Sequence, residues 1–393
     1  MSLSRKIQRL KKRLEETVTA NASARDSRAE RRGIVFVWVT SLPYHIDRVL
    51  SLGPEAHGIF VAERSETYGG IQGSTQLPAN CVYLFPRKYE DIGAIERSLK
   101  LVVELYRHPG SCIFVSGYNR PEVMVSSIIF RIFGRPVFVM QDSRYSDRPR
   151  SLVRELGKMI LYLPYSGALV SGKEASDYLR FLGFRRRPIA EFGYDTISLD
   201  RIRGGASASM PQNRAPFLFV GRLIEKKGLD FLLQVYAEYR RVAKSPRDLR
   251  VLGDGPERDK CEELVSFYAI NEVHFLGAGG QSDVAAEMAT AHALLVPSKY
   301  EEWGLIVNEA LAFSLPIIVS STVGASKELV RNLVNGIIAS PNDANEWIAA
   351  LLSVDEDEAL YKKLVSGVSE SAQKADVVEF RRAVLNLVAG NRD

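Results

Sequence analysis

Cysteine is scarce in this chain: 393 residues contain three, Cys81, Cys112 and Cys261, odd in number and widely spaced, two of them inside apparent strands. That scarcity excludes a disulfide-stapled secreted scaffold and offers no zinc-ligand spacing; buried thiols in a reducing cytoplasm are the expectation. Long apolar runs are also missing. None approaches the ~18 to 20 residues that a membrane-spanning helix needs. The best candidate near the N-terminus, Gly33 to Leu42, suits a buried strand, and no secretory signal is expected. Full glycine-rich nucleotide fingerprints are absent too. Gly253-Asp254-Gly255 has no third glycine at the required spacing and reads as a plain strand-to-helix turn with Pro256 starting the helix.

What is present is ordinary in bulk and uneven in charge. The composition, 46% apolar and 25% charged, is that of a soluble globular enzyme, and the length favours two domains. The first 32 residues hold ten Lys/Arg and four Asp/Glu; in a chain of net +5 this leaves −1 for the other 361. Within this arm Leu3, Ile7, Leu10 and Leu14 put one apolar stripe along a very basic helix. Residues 1–18 could lie on an anionic membrane surface, start a short coiled coil, or remain a disordered arm. Asn21 to Arg32 reads as a linker, and no nucleic-acid partner is expected.

From Ile34 short apolar strands alternate with helical stretches: Ile34 to Thr40, Gly58 to Glu63, Cys81 to Phe85, Cys112 to Gly117, Pro136 to Gln141 and Gly167 to Gly172. Their apolarity is continuous, which implies burial on both faces and an α/β doubly wound parallel sheet. Asp200 to Ala215 is rich in Gly, Ser, Ala and Pro without periodicity and reads as an interdomain linker. A second sheet starts at Phe217 and ends near Ile337 to Ala339, and Asp357 to Val388 reads as helix. The expected domains are 33–199 and 216–373, joined by 200–215.

The most informative segment is Glu301-Glu302-Trp303-Gly304-Leu305-Ile306-Val307-Asn308-Glu309. It follows the strand-like run Ala293 to Ser298 and leads into a helical stretch, at a strand's carboxyl end where open α/β sheets bind ligands. The amides of Gly304, Leu305 and Ile306 would be unpaired donors of a first helical turn, an anion site. Glu309, one turn on, leans back toward the same mouth, while Glu301 approaches from the loop. Two carboxylates beside an anion make sense if they accept hydrogen bonds from hydroxyl-rich neighbours and if cations stand close. Arg222 and Lys227, in the strand-end loop after Phe217 to Val220, suit a diphosphate, although a basic pair in such a loop is often simply solvated.

The order of blocks, Val-Gly-Arg-Leu with Lys-Gly, then Leu252 to Pro256, Val273 to Gly277, the double-Glu segment and Pro316 to Ala325, resembles the retaining nucleotide-sugar-dependent glycosyltransferases of family 4. The resemblance is dense over about residues 215 to 352. It implies a GT-B fold, two Rossmann-like domains facing a cleft, with roughly residues 374–393 packing back on the first domain. It also implies that Arg222 and Lys227 bind the donor diphosphate, Glu309 the ribose and Glu301 the transferred sugar. The activity implied is transfer of a hexose from a UDP- or GDP-sugar to a hydroxyl acceptor, a glycolipid or a polysaccharide or lipopolysaccharide precursor. A non-catalytic scaffold, or a phosphorylase or sugar-phosphate synthase, remains open on the same fold.

No cofactor is expected, and no metal: Arg222, Lys227 and helix amides already offset the diphosphate. The Asp-x-Asp within Asp355 to Glu358 lies outside any strand-end loop and reads as a solvated acidic helix start. Gly277 to Gly280 is either a donor contact or a turn. In the first domain, Tyr44, His45 and Arg48 follow the first strand, either as acceptor or phosphate contacts or as helix-start packing. Where many relatives carry a histidine near the donor sugar, this chain has Gln141-Asp142. Asp142 takes either a sugar-contacting or acid/base role, or forms a strand-end Asx turn or a helix cap. The expected location is cytoplasmic, peripheral to the inner face of the membrane if the arm binds it.

Overall fold

The computed structural model describes residues 33–66, 76–147, 150–204 and 214–390. The basic arm expected over residues 1–32 and most of the expected linker lie outside them. The described strands form two parallel sheets. The first runs β1 (Ile34–Trp38), β2 (Ala56–Arg64), β3 (Cys81–Lys88), β4 (Cys112–Ser116), β5 (Val137–Gln141), β6 (Gly167–Val170) and β7 (Ile189–Ala190), in spatial order β3-β2-β1-β4-β5-β6-β7. The second holds β8 (Phe217–Val220), β9 (Leu249–Leu252), β10 (Val273–Gly277), β11 (Ala293–Val296), β12 (Ile317–Ser320) and β13 (Gly336–Ala339), in order β10-β9-β8-β11-β12-β13.

Every residue of β1, β4, β5, β6, β11 and β12 is buried, as continuous apolarity predicts for strands covered on both faces. Alternate side chains of β1 serve different cores. Val35 and Val37 join one with Leu101, Phe130 and Tyr178, while Phe36 and Trp38 join another with Phe380, Val384 and Leu387. The second set comes from helix Val377–Ala389, so the chain's last described helix covers one face of the first sheet. Cys112 and Cys261 are buried and Cys81 half-buried, all three free, and burial pushes the Cys81 and Cys261 thiols up to about 11.

Three local features differ from the sequence expectation, two through short acidic side chains and one through a serine hydroxyl. The helical stretch after Asp357 is two helices, Glu358–Ala375 and Val377–Ala389, because Asp376 turns the chain and accepts a hydrogen bond from the Val378 amide at 3.0 Å. Asp355 is not solvated: its carboxylate is buried and receives Arg214 at 2.5 Å, Arg247 at 2.7 Å and the Tyr239 hydroxyl at 2.5 Å. Asp357 beside it caps the following helix through the Leu360 amide at 2.9 Å. At the start of the expected linker, Leu199–Arg203 is helical, with the Ser198 hydroxyl accepting from the Arg201 amide.

In the first sheet the strand order reverses between β1 and β4, in the second between β8 and β11. Loops diverge at such switch points and leave a crevice at the strands' carboxyl ends. The two crevices open into one cavity of about 910 Å³, lined from both sheets' loops.

Candidate active site

On the second-sheet side the cavity wall holds Arg222 and Lys227 from the loop after β8, and Glu301, Glu302, Gly304, Leu305 and Ile306 from the loop after β11. Gly304 has φ +96°, a left-handed conformation that lets the loop turn abruptly into helix Leu305–Ala312. Leu305 and Ile306 are therefore the first two helical residues, whose N–H groups have no intrahelical acceptors, and both residues line the cavity. The loop is fixed at its back: the Gly324 amide donates to the Glu301 carbonyl at 3.1 Å and the Ala325 amide to that of Trp303 at 2.9 Å.

The Lys227 ammonium donates to both Glu301 oxygens, at 2.9 and 2.7 Å. Lys226 adds a second, looser cation, 3.9 Å from Glu301 and 3.6 Å from Glu302. The Arg222 side chain is exposed on the same wall. Glu309 is the exception among the expected donor residues, since the cavity wall ends at Ile306 and does not include it. Burial pushes its carboxyl up to about 7, with Arg201 opposing the shift.

That shift has a stability consequence. An unfolded Glu titrates near its ordinary value of ~4.3, so the folded state holds this proton more tightly. The stability that protonation contributes is complete below pH ~4.3 and is lost as pH rises through about 7. Glu309→Gln is therefore expected to be more stable than wild type at pH 8, by about 3 to 4 kcal/mol, with the difference vanishing near pH 4. Urea unfolding at the two pH values measures this, and a variant no more stable at pH 8 would show the carboxylate to be well solvated.

The first-sheet side of the cavity holds Tyr44, His45, Arg48 and Asp142. His45 stacks on Trp38 with ring centroids 4.6 Å apart, and its Nδ1 lies 3.1 Å from the Thr40 carbonyl. Burial and the Arg48 charge hold its pKa well below the usual value, so at neutral pH it carries no charge to offer a phosphate. Arg48 is buried, donating to the Thr196 carbonyl at 3.2 Å and to Asp195 at 3.5 Å, with the Tyr44 and Tyr194 rings against its guanidinium. These are the contacts of packing residues at a helix start.

Asp142 sits where the two halves meet. Burial, and then the carboxylates of Asp195 and Glu302, push its carboxyl up to about 7. Asp195 is shifted the same way by burial, opposed by Arg48 and by the hydrogen bond it accepts from Ser171. Gln141, beside Asp142, is buried and accepts the Tyr162 hydroxyl's hydrogen bond on Oε1.

Two residues that sequence reasoning did not single out bind the halves together. Arg144, in the loop after β5, reaches across the cleft and donates to the carbonyls of Glu301 at 2.6 Å and Thr322 at 3.0 Å, with Asp147 at 2.9 Å orienting its Nε. Asn308, inside the double-Glu segment, accepts from the Trp303 indole at 2.9 Å and donates to the Asp195 carbonyl at 2.9 Å. The Arg144/Asp147 spacing was the one available signal for the first. Nothing local announced the second. Gly277 to Gly280 is not part of the cavity wall; Gly280 begins helix Gln281–Thr290, its amide bonded to Asp283 at 2.7 Å.

Comparison with known proteins fits this geometry. Residues 206–370 match the family described as Glycosyl transferases group 1. An uncharacterized glycosyltransferase of Methanocaldococcus jannaschii, MJ1178, is 29% identical over 157 residues, 40% of this chain and 43% of that protein. The D-inositol 3-phosphate glycosyltransferase of a Nocardioides species is 31% identical over 193 residues, 44% of this chain and 41% of that one. The chain thus spans about two-fifths of the length of these curated relatives. Among solved structures, Anabaena HepE in complex with UDP superposes with a TM-score of 0.70 at 16% identity, over 91% of this chain and 100% of that one. The fold is GT-B, and residues 206–370 of the chain carry a Glycosyl transferases group 1 domain.

Proposed function

We propose that the protein is a retaining glycosyltransferase that moves a hexose from a UDP- or GDP-sugar to a hydroxyl of a glycolipid or of a polysaccharide or lipopolysaccharide precursor. The observation that carries this reading is the wall on which Lys227 holds Glu301 by both oxygens, beside Arg222 and the open helix start at Leu305. Such a wall presents cations and amide donors to a diphosphate and a carboxylate to sugar hydroxyls. HepE, of similar fold, has been solved with UDP bound.

On this reading the bond from the anomeric carbon to the diphosphate oxygen breaks, and negative charge grows on the leaving group beside Arg222 and Lys227. The acceptor oxygen bonds to the same face of that carbon, and its proton passes to the leaving phosphate oxygen. Glu301 orients the sugar hydroxyls, and Asp142 contacts the sugar or acceptor from the first domain. Closure of the cleft limits hydrolysis by water. The chemistry needs neither metal nor cofactor, because charge on the leaving group is met by side chains and amides. The arm, through residues 1–18, would hold the enzyme at the inner face of an anionic membrane.

Arg222→Ala is expected to lower kcat/KM for the donor about ten- to a hundredfold, the loss of one charged contact. Near-wild-type turnover in this variant would mean that the donor site is wrongly placed.

A further inference from the structure

Helix Leu152–Leu161 is amphipathic in the reverse of the usual sense. At ~100° per residue, Leu152, Val153, Leu156 and Ile160 fall within one ~100° arc, and Lys158 lies nearly opposite. The apolar arc is the one that faces outward: these four side chains are 71%, 80%, 53% and 67% exposed. The inward side is mostly polar. Glu155, buried, receives the Tyr178 hydroxyl and Lys158 at 3.0 Å, while Arg150 donates to the same Tyr178 oxygen at 3.1 Å. Folding has therefore placed polar groups against the protein and left a leucine-rich face in water, which is unfavourable without a partner.

Charge around this face and its continuity with the cavity identify the partner. Arg154 and Lys158, on the same helix, line the cavity together with Arg150. At the helix's carboxyl end Arg187 donates to the carbonyls of Tyr162 at 2.6 Å and Tyr165 at 3.0 Å, which brings exposed Arg185 and Arg186 alongside. An apolar strip on one side of a helix, with arginine and lysine on the opposite side and arginines near its carboxyl end, is the pattern of a helix lying in a bilayer interface, apolar side chains among acyl chains and cations at phosphate level. Among the described residues no helix is long and apolar enough to cross a membrane, so contact is along the surface.

We propose that helix Leu152–Leu161 docks on an anionic phospholipid bilayer and holds the cavity mouth at headgroup height, so that an acceptor with a lipid anchor enters past Arg154 and Lys158. This site is separate from the N-terminal arm and goes beyond the transferase reading; vesicle binding requires no donor and no turnover, so each can fail alone.

The test is sedimentation of the full chain with vesicles of phosphatidylcholine containing roughly one-third phosphatidylglycerol, a charge density at which basic surfaces bind. Wild type is expected to sediment with these vesicles. The double variant Leu156→Ser with Ile160→Ser is expected to partition about tenfold less, because two buried side chains leave the acyl region. Both positions are exposed, so an unchanged thermal midpoint is expected and separates lost docking from lost folding. In an otherwise wild-type chain, Ile160→Trp is expected to fluoresce at shorter wavelength with vesicles and to be quenched by brominated lipid. Absent wild-type sedimentation, equal partition of the double variant, an unquenched tryptophan, or a wild-type dimer that the serines dissociate would each overturn the proposal.

Discussion

Lys227→Met is expected to lower kcat about 10²- to 10³-fold while donor KM changes several-fold at most, the pattern of a group whose contact strengthens in the transition state. In the resting site the ammonium is held by both oxygens of Glu301, with a neighbouring ammonium at 3.9 Å. That pairing does two things. On the proposed reading, it keeps the carboxylate aimed into the cavity and parks a cation where a leaving diphosphate would accumulate charge. Methionine keeps most of the stem and removes both effects. Lys226 does not replace it, because its ammonium stands farther from Glu301 and is shared with Glu302. Lys227→Arg keeps the charge, but its planar fork lacks the point-charge geometry, and recovery of about a tenth of wild-type kcat is expected. Steady-state kinetics with a donor that the wild type turns over measures both variants. A Lys227→Met enzyme within tenfold of wild type would remove this residue from leaving-group stabilisation.

The reach of sequence reasoning followed the range of the interactions. β1, β4, β5 and β8 were legible because burial on both faces writes itself as a continuous apolar run, and the second half of the site was legible because strand end, positive-φ glycine and helix start are consecutive in the chain. Gly304 with Leu305 and Ile306 lies on the cavity wall for that reason. Glu309 does not, since helical spacing gives a side chain's direction but not what surrounds it, and the carboxyl is buried off that wall. The first-sheet half depends on partners distant in sequence. Arg48 finds Asp195 across 147 positions and Arg144 finds the Glu301 carbonyl across 157. A hydrophobic pattern carries no record of such pairs. Asp355 shows the same limit: four acidic residues in a row look solvated until two arginines from elsewhere arrive. Helix Leu152–Leu161 shows it most sharply, because a sequence reveals that a helix has two faces and not which of them points outward.

Gly324→Ala is expected to unfold at markedly lower denaturant, by about 3 kcal/mol, and to lose about a hundredfold in kcat at temperatures where it remains folded. The reason is the close approach behind the double-Glu loop. A Cβ on Gly324 would fall far inside contact distance of the Glu302 carbonyl oxygen and 3.1 Å from the Trp303 Cα. Both are backbone atoms, so no side-chain rotation relieves the clash. The alternatives are to break the hydrogen bond from the Gly324 amide to the Glu301 carbonyl or to move the loop bodily. Either displaces Glu301 from Lys227 on one side and from Arg144 on the other, since Arg144 grips that same Glu301 carbonyl at 2.6 Å. Packed backbone does not deform continuously, and a shift of ~1 Å suffices to misplace a reacting group. Gly157→Ala is the control: nothing lies within 4 Å of its added Cβ, and as a helical position it is expected to gain up to about 1 kcal/mol. Equilibrium urea unfolding and donor kinetics on both variants distinguish the outcomes. A Gly324→Ala protein as stable and as active as Gly157→Ala would show that the loop tolerates displacement and that the position of Glu301 is not set from behind.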